Sequence, residues 1–195
     1  MKTTWMAKIL ACAFLAGALM VSANNVNAQK KSKDTKGSAT KKAEDKSKRK
    51  SPPAFVQETI SSGATVSINY GQPSLNGRTP GVDVEPKDDT VWRAGANEAT
   101  VFETDKDVTI NGQSLPAGKY AFYVLKHGEN WTLIFNKQWN VWGTKYAQYK
   151  DQDVLQVTVK QEEPLAPSQK LLYTIDKSGK VTLLWGPEEI SFNVR

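Results

Sequence analysis

Val108-Thr109-Ile110-Asn111-Gly112-Gln113-Ser114-Leu115, continuing through Pro116-Ala117-Gly118 into Lys119-Tyr120-Ala121-Phe122-Tyr123-Val124-Leu125-Lys126, decides the fold class of this chain. A two-residue hairpin turn of the primed type needs positive φ at both central residues, which Asn-Gly tolerates best. Residues 108–115 therefore predict a β-hairpin. Pro116-Ala117-Gly118 makes the next turn. Beyond it, Tyr120, Phe122 and Val124 fall on one face of an extended segment, and Ala121, Tyr123 and Leu125 on the other. A strand apolar on both faces is covered on both.

The period of two continues outward in both directions. Upstream, Val66, Ile68 and Tyr70 alternate with Ser67 and Asn69, and Val101 alternates with Thr100 and Phe102. Downstream, His127-Gly128-Glu129-Asn130 turns into Trp131–Phe135, and Leu155, Val157 and Val159 mark another strand. Leu171–Ile175, Val181–Trp185 and Ile190–Val194 read as a closing meander, with turns at Lys177-Ser178-Gly179 and Gly186-Pro187. No segment has the period of a long helix; residues 146–152 have room for one or two turns. There is no internal repeat. The expectation is a single all-β domain over residues 51–195, an antiparallel β-sandwich or barrel-like sheet. A domain of this length buries roughly two-thirds of its surface. Two stretches escape the pattern, 71–98 and 136–150, both carrying Trp, Asn and Gly. Long ordered loops on a β scaffold are where binding residues usually sit.

The chain before Ser51 is of another kind. Residues 1–28 open with Lys2 and Lys8, continue with an apolar run over 9–23, and end Val26-Asn27-Ala28. The run is too short to span a bilayer, and the small residues suit cleavage before Gln29, with Ala23 as the alternative site. This is the pattern of a secretory signal, and it implies a periplasmic or extracellular destination with no transmembrane segment in the mature chain. Residues 29–50 are a lysine-rich tract without aromatic or branched aliphatic residues, expected to be a disordered basic linker. The signal carries +2 and the tract +7 of the formal +6, which leaves −3 for residues 51–195. The basic character belongs to the leader. It suits a tether or a contact with an anionic surface. The folded part offers nucleic acid no basic face, so no specific nucleic-acid partner is expected.

Cys12 is the only cysteine, and it lies inside the signal. The apolar run continues past it, which speaks against a lipoprotein cleavage box. Without it the mature chain has no disulfide and no thiolate ligand. With His127 as the only histidine, the usual zinc ligand sets cannot form. There is no nucleophile elbow, phosphate-cradling glycine loop or dinucleotide fingerprint, so no cofactor is expected.

The irregular stretches hold several motifs in order: Tyr70-Gly71-Gln72-Pro73-Ser74-Leu75-Asn76-Gly77-Arg78, then Val91-Trp92-Arg93-Ala94-Gly95-Ala96-Asn97-Glu98-Ala99-Thr100, then Asn111-Gly112 with Leu115-Pro116-Ala117-Gly118-Lys119-Tyr120, then Trp131 with Phe135-Asn136, Trp142-Gly143 and Asp153-Val154-Leu155. In order and spacing the chain resembles an uncharacterised family of exported bacterial β-domains, catalogued as domain of unknown function 2911. The Trp-Arg-x-Gly-Ala-Asn-Glu-x-Thr string carries most of the likeness, which covers nearly all of the chain from Ser51. At 71–72, where the family commonly has Ser-Arg, this chain has Gly71-Gln72. The resemblance implies the fold and export; it implies no activity.

Candidate binding residues are Arg78, Trp92, Arg93, Asn97, Glu98 and Trp142. Arg93 and Asn97 offer planar donors to a polar small molecule or glycan, and Trp92, Trp139 or Trp142 a stacking face. The alternative is that the tryptophans are core and an Arg93–Glu98 pair staples the loop. Arg78 follows a turn and is a second candidate anion binder. Glu98 with Glu103, or either with Asp153, could supply two carboxyls for glycoside hydrolysis. Asp105 with Asp107, and Asp83 with Glu85, Asp88 and Asp89, could offer oxygen ligands to calcium, but they lack the spacing of a calcium loop and read as solvated turn charges. The favoured expectation is an exported, non-catalytic binding module for a polar ligand or envelope partner. A carboxylate-dependent hydrolase and a purely structural domain are the alternatives.

Overall fold

The computed structural model describes residues 44–195. The signal segment 1–28 and the leader through residue 43 lie outside the described residues. Twelve strands follow one another: β1 (Pro53–Thr59), β2 (Thr65–Gly71), β3 (Val91–Trp92), β4 (Thr100–Thr104), β5 (Val108–Ile110), β6 (Gln113–Leu115), β7 (Gly118–His127), β8 (Asn130–Asn136), β9 (Asp153–Glu162), β10 (Ser168–Ile175), β11 (Lys180–Gly186) and β12 (Glu188–Asn193). No helix among the described residues is long and apolar enough to cross a membrane.

The main sheet runs β1-β2-β4-β7-β8-β9-β12-β11-β10, with β3 added on β7 and β5–β6 standing apart as a hairpin. Its strand pairings are antiparallel. The sheet almost closes on itself. After β2 the chain meets β10 through an antiparallel bridge between Ser74 and Lys170. The Leu75 amide donates to the Gln169 carbonyl at 2.8 Å and the Leu171 amide to that of Pro73 at 3.1 Å. The expected all-β fold is present, in its barrel-like form.

The Asn-Gly turn is where the sequence placed it: Asn111 has φ 47° and Gly112 φ 86°, and Ile110 pairs with Gln113. Both faces of β7 are covered, as its composition required. Inside the barrel, Phe102, Phe122, Phe135 and Phe192 interlock with ring centroids 5.2–6.4 Å apart. Truncating one such buried ring costs about 3–5 kcal/mol. On the outer face, Ala99, Ala121, Tyr123 and Ile134 make a second cluster, capped by Val141 and Tyr146.

That cap is the 136–150 loop, which folds over the sheet in two 3-10 turns, Gly143–Gln148 and Lys150–Gln152. Buried Asn136 fastens it. Its Nδ2 donates to the Tyr149 carbonyl at 2.6 Å and to Asp153 Oδ1 at 2.8 Å, and its Oδ1 accepts from the Gln138 amide at 2.8 Å. The Tyr146 hydroxyl donates to the other oxygen of Asp153 at 2.8 Å.

Three features differ from the sequence reading. β1 is a strand the alternation left unnoticed, because it lies at the sheet edge and its residues are half-buried or exposed. β3 is a two-residue strand inside the expected 71–98 loop. Residues 44–50, expected to belong to a disordered linker, instead form a 3-10 turn over Lys46–Lys48. Asp45 caps it by accepting from the Ser47 amide at 3.2 Å. The physical reason is a set of charge pairs with Glu98, described below.

Candidate functional site

The two irregular stretches converge at one end of the sheet. Between β3 and β4 the chain turns sharply, with Ala94 at φ 47° and Asn97 at φ 67°. The turn is held from inside. The Ala94 carbonyl accepts from Thr100 Oγ1 at 3.1 Å and from the Tyr173 hydroxyl at 2.7 Å. Gly71 lets it sit close, since a Cβ there would lie 2.2 Å from the Ala96 carbonyl oxygen. A single antiparallel bridge then joins Glu98 to Trp142, with the Ala99 amide on the Val141 carbonyl and the Gly143 amide on that of Asn97, both at 3.0 Å.

Trp92 points inward from β3. It is 4% exposed, stacks near Trp185 at 6.5 Å and donates its indole N–H to the Gly95 carbonyl at 3.1 Å. The expected stacking face for a sugar is therefore not available on Trp92, which is core.

Arg93, one residue on, points to the opposite side. Its stem lies over Gly143, where a Cβ would come within 1.9 Å of Arg93 Cδ. The expected Arg93–Glu98 pair is not formed. Among the described residues Arg93 has no salt bridge, and its buried Nε has no hydrogen-bond partner. Burial lowers the guanidinium pKa, partly offset by the negative charge of Glu85. Leaving a buried donor unmatched costs about 1–3 kcal/mol, more when it is charged.

Arg93 lines a cleft of about 350 Å³ together with Arg78, Lys87, Asp83, Glu85 and the edge of Trp92. Most of these charges are already engaged. Arg78 donates to the carbonyls of Leu75 and Ser74 at 2.8 and 2.7 Å, bracing its own turn. Asp83 accepts from the Thr79 amide at 2.9 Å and Glu85 from the Lys87 amide at 2.8 Å. Asp83 and Glu85 entered the sequence reading only as acidic residues without calcium-loop spacing, and Lys87 was marked by nothing but its place in the 71–98 loop.

Glu98 and Trp142 form a second, smaller feature. Glu98 is paired with Lys46 at 2.8 Å and with Arg49 at 2.7 Å, and the Arg49 guanidinium lies 6.0 Å from the Trp142 ring. Burial pushes the Glu98 carboxyl up, but the hydrogen bonds from Arg49 and Lys46 outweigh it and hold the pKa at about 2. A carboxyl so held is ionised at neutral pH and cannot act as a general acid. The other carboxylates of the hydrolase alternative are also engaged, Glu103 by Lys119 at 3.1 Å and Asp153 by Asn136 and Tyr146. Asn97 donates to the Ser51 carbonyl at 2.9 Å, fixing the start of the domain. Trp142 is 47% exposed.

His127 is exposed at a turn and bonded to Asp89 at 2.7 Å; that hydrogen bond raises its pKa. Among the described residues no three His, Cys, Asp or Glu side chains are grouped to hold a metal ion.

A nearly closed antiparallel β-barrel with a polar cleft lined mainly by the 71–98 segment defines the class. The chain belongs to the family described as Protein of unknown function (DUF2911), whose model matches residues 51–194. No curated protein and no solved structure matches the chain.

Proposed function

We propose that the domain is a non-catalytic binding module, working outside the cytoplasm, that takes a small polar ligand bearing a carboxylate in the Arg93 cleft. The observation that carries this reading is the half-buried Arg93 side chain at the wall of a polar cleft, in no salt bridge among the described residues and with its buried Nε unpartnered. Proteins rarely keep such a group unmatched unless something else matches it. A planar guanidinium suits a carboxylate in particular. Three cations and two carboxylates line the cleft, so its own charge favours a monoanion over a multiply charged one. Asp83 and Glu85 keep acceptor capacity for hydroxyl groups, which makes an acidic sugar the best fit. The secretory pattern of residues 1–28 supports placing the module in the periplasm or beyond.

The test is isothermal titration of the mature chain with glucuronate, succinate, glutamate and inorganic phosphate, alongside Arg93→Met. Saturable binding of a carboxylate that weakens at least about tenfold in the variant supports the reading. Equal binding by the variant would move the site elsewhere.

A further inference from the structure

Apart from the Arg93 cleft there is a groove of about 190 Å³, lined by Tyr70, Asn97, Glu98 and Ala99 together with Lys46 and Arg49 of the leader. Its geometry begins in the backbone. Residues directly opposed across an antiparallel bridge project their side chains to the same face. The Glu98–Trp142 bridge therefore sets a carboxylate and an indole side by side, and this bridge is held by two flanking hydrogen bonds. A carboxylate beside an aromatic ring is what a guanidinium recognises, through a charge-assisted bond at its edge and the ring at its face.

Arg49 fills that position. Its Nη1 donates to Glu98 at 2.7 Å, while Nε and Nη2 fork onto the carboxylate of Glu44 at 2.7 and 2.6 Å. All three nitrogens are matched, and the side chain is only 15% exposed. Lys46 takes the other oxygen of Glu98. The strap is anchored at its far end as well, where the carbonyls of Ser51 and Pro52 accept from Asn97 and from the Gln72 amide. An exposed ion pair alone holds a tail weakly. Here two carboxylates, a ring and a capped turn converge on one arginine.

We propose that Glu98 and Trp142 form a receptor for an arginine side chain and that Arg49 of the same chain is its resident ligand, so that residues 44–50 are a displaceable strap over the groove. This goes beyond the carboxylate cleft and fails or stands separately from it.

The test uses the mature chain from Gln29. Trypsin cutting after Lys50 is timed for the wild type, Glu98→Gln and Trp142→Ala, with thermal unfolding as the check on folding. The strap requires faster cutting in both variants, by about tenfold for Glu98→Gln, with unfolding little changed. Equal rates in all three proteins would overturn it. The receptor is tested with N-acetyl-arginine amide, followed at the Trp142 indole resonance. Arg49→Ala should take up the probe at concentrations that leave the wild type unaffected, and Glu98→Gln should not. Failure of Arg49→Ala to bind it would overturn the receptor even if the strap is confirmed.

Discussion

The side chain of Arg93 crosses the backbone of Gly143 so closely that no residue with a Cβ fits beneath it. The position a Cβ would take lies 1.9 Å from Arg93 Cδ and 2.9 Å from Arg93 Cβ. This contact couples the two inserted loops, because Arg93 follows β3 and Gly143 opens the 3-10 turn over the outer face. Gly143→Ala must therefore push Arg93 out of the cleft wall or lift the turn. The expected cost is about 1–3 kcal/mol, with weakened ligand binding, read by denaturant unfolding and titration.

Arg93→Met is expected to leave the ligand-free domain as stable as the wild type or more so, by about 1 kcal/mol. Methionine keeps much of the stem over Gly143 and removes an unmatched buried donor. That corresponds to a rise of a few degrees in Tm. A fall of several degrees would mean that the guanidinium braces the fold, which is the purely structural alternative.

Asn136→Ala is expected to destabilise the domain by about 2 kcal/mol. It removes three hydrogen bonds from a residue that is 1% exposed, leaving the Tyr149 carbonyl without this donor and the Gln138 amide without its acceptor. Hydrogen exchange should rise over 137–152 well before it rises in β7 or β8.

The strap is expected to release in acid before the barrel unfolds. Glu98 has a folded pKa of about 2 against an ordinary 4.5, so its contribution is complete above about pH 4.5 and is lost as the pH falls toward 2. The charged groups facing it are Lys46 and Arg49, with Glu44 on the same guanidinium and itself lowered by the Arg49 hydrogen bond. Amide resonances of residues 45–50 should move through this window while those of β7 and β8 hold. Resonances unmoved down to pH 2 would contradict the pairing.

The barrel was legible because its signals are local. The Asn111-Gly112 turn and the two-faced apolar run of β7 each specify their geometry within a few residues, and the closing meander shows the same alternation. What was illegible depends on distance. Nothing in the composition of 29–50 distinguishes Lys46 and Arg49 from their neighbours; they are set apart by meeting Glu98, 49 residues beyond Arg49. Trp92 and Trp142 read alike as aromatic loop residues, yet one is drawn into the core beside Trp185 and the other is left half in solvent. Arg93 and Glu98 are five residues apart and of opposite charge, so pairing was the natural expectation. Backbone turns at Ala94 and Asn97 separate them, and that conformation is sustained by Thr100 and Tyr173 from elsewhere in the fold.

The most direct measurement is the titration of the mature chain with glucuronate, succinate and glutamate, paired with Arg93→Met. Binding to the folded state should appear as heat and as a raised melting temperature, and both should be lost in the variant while its fold is kept. Binding of no carboxylate, or binding that survives loss of the guanidinium, would contradict a ligand site at Arg93.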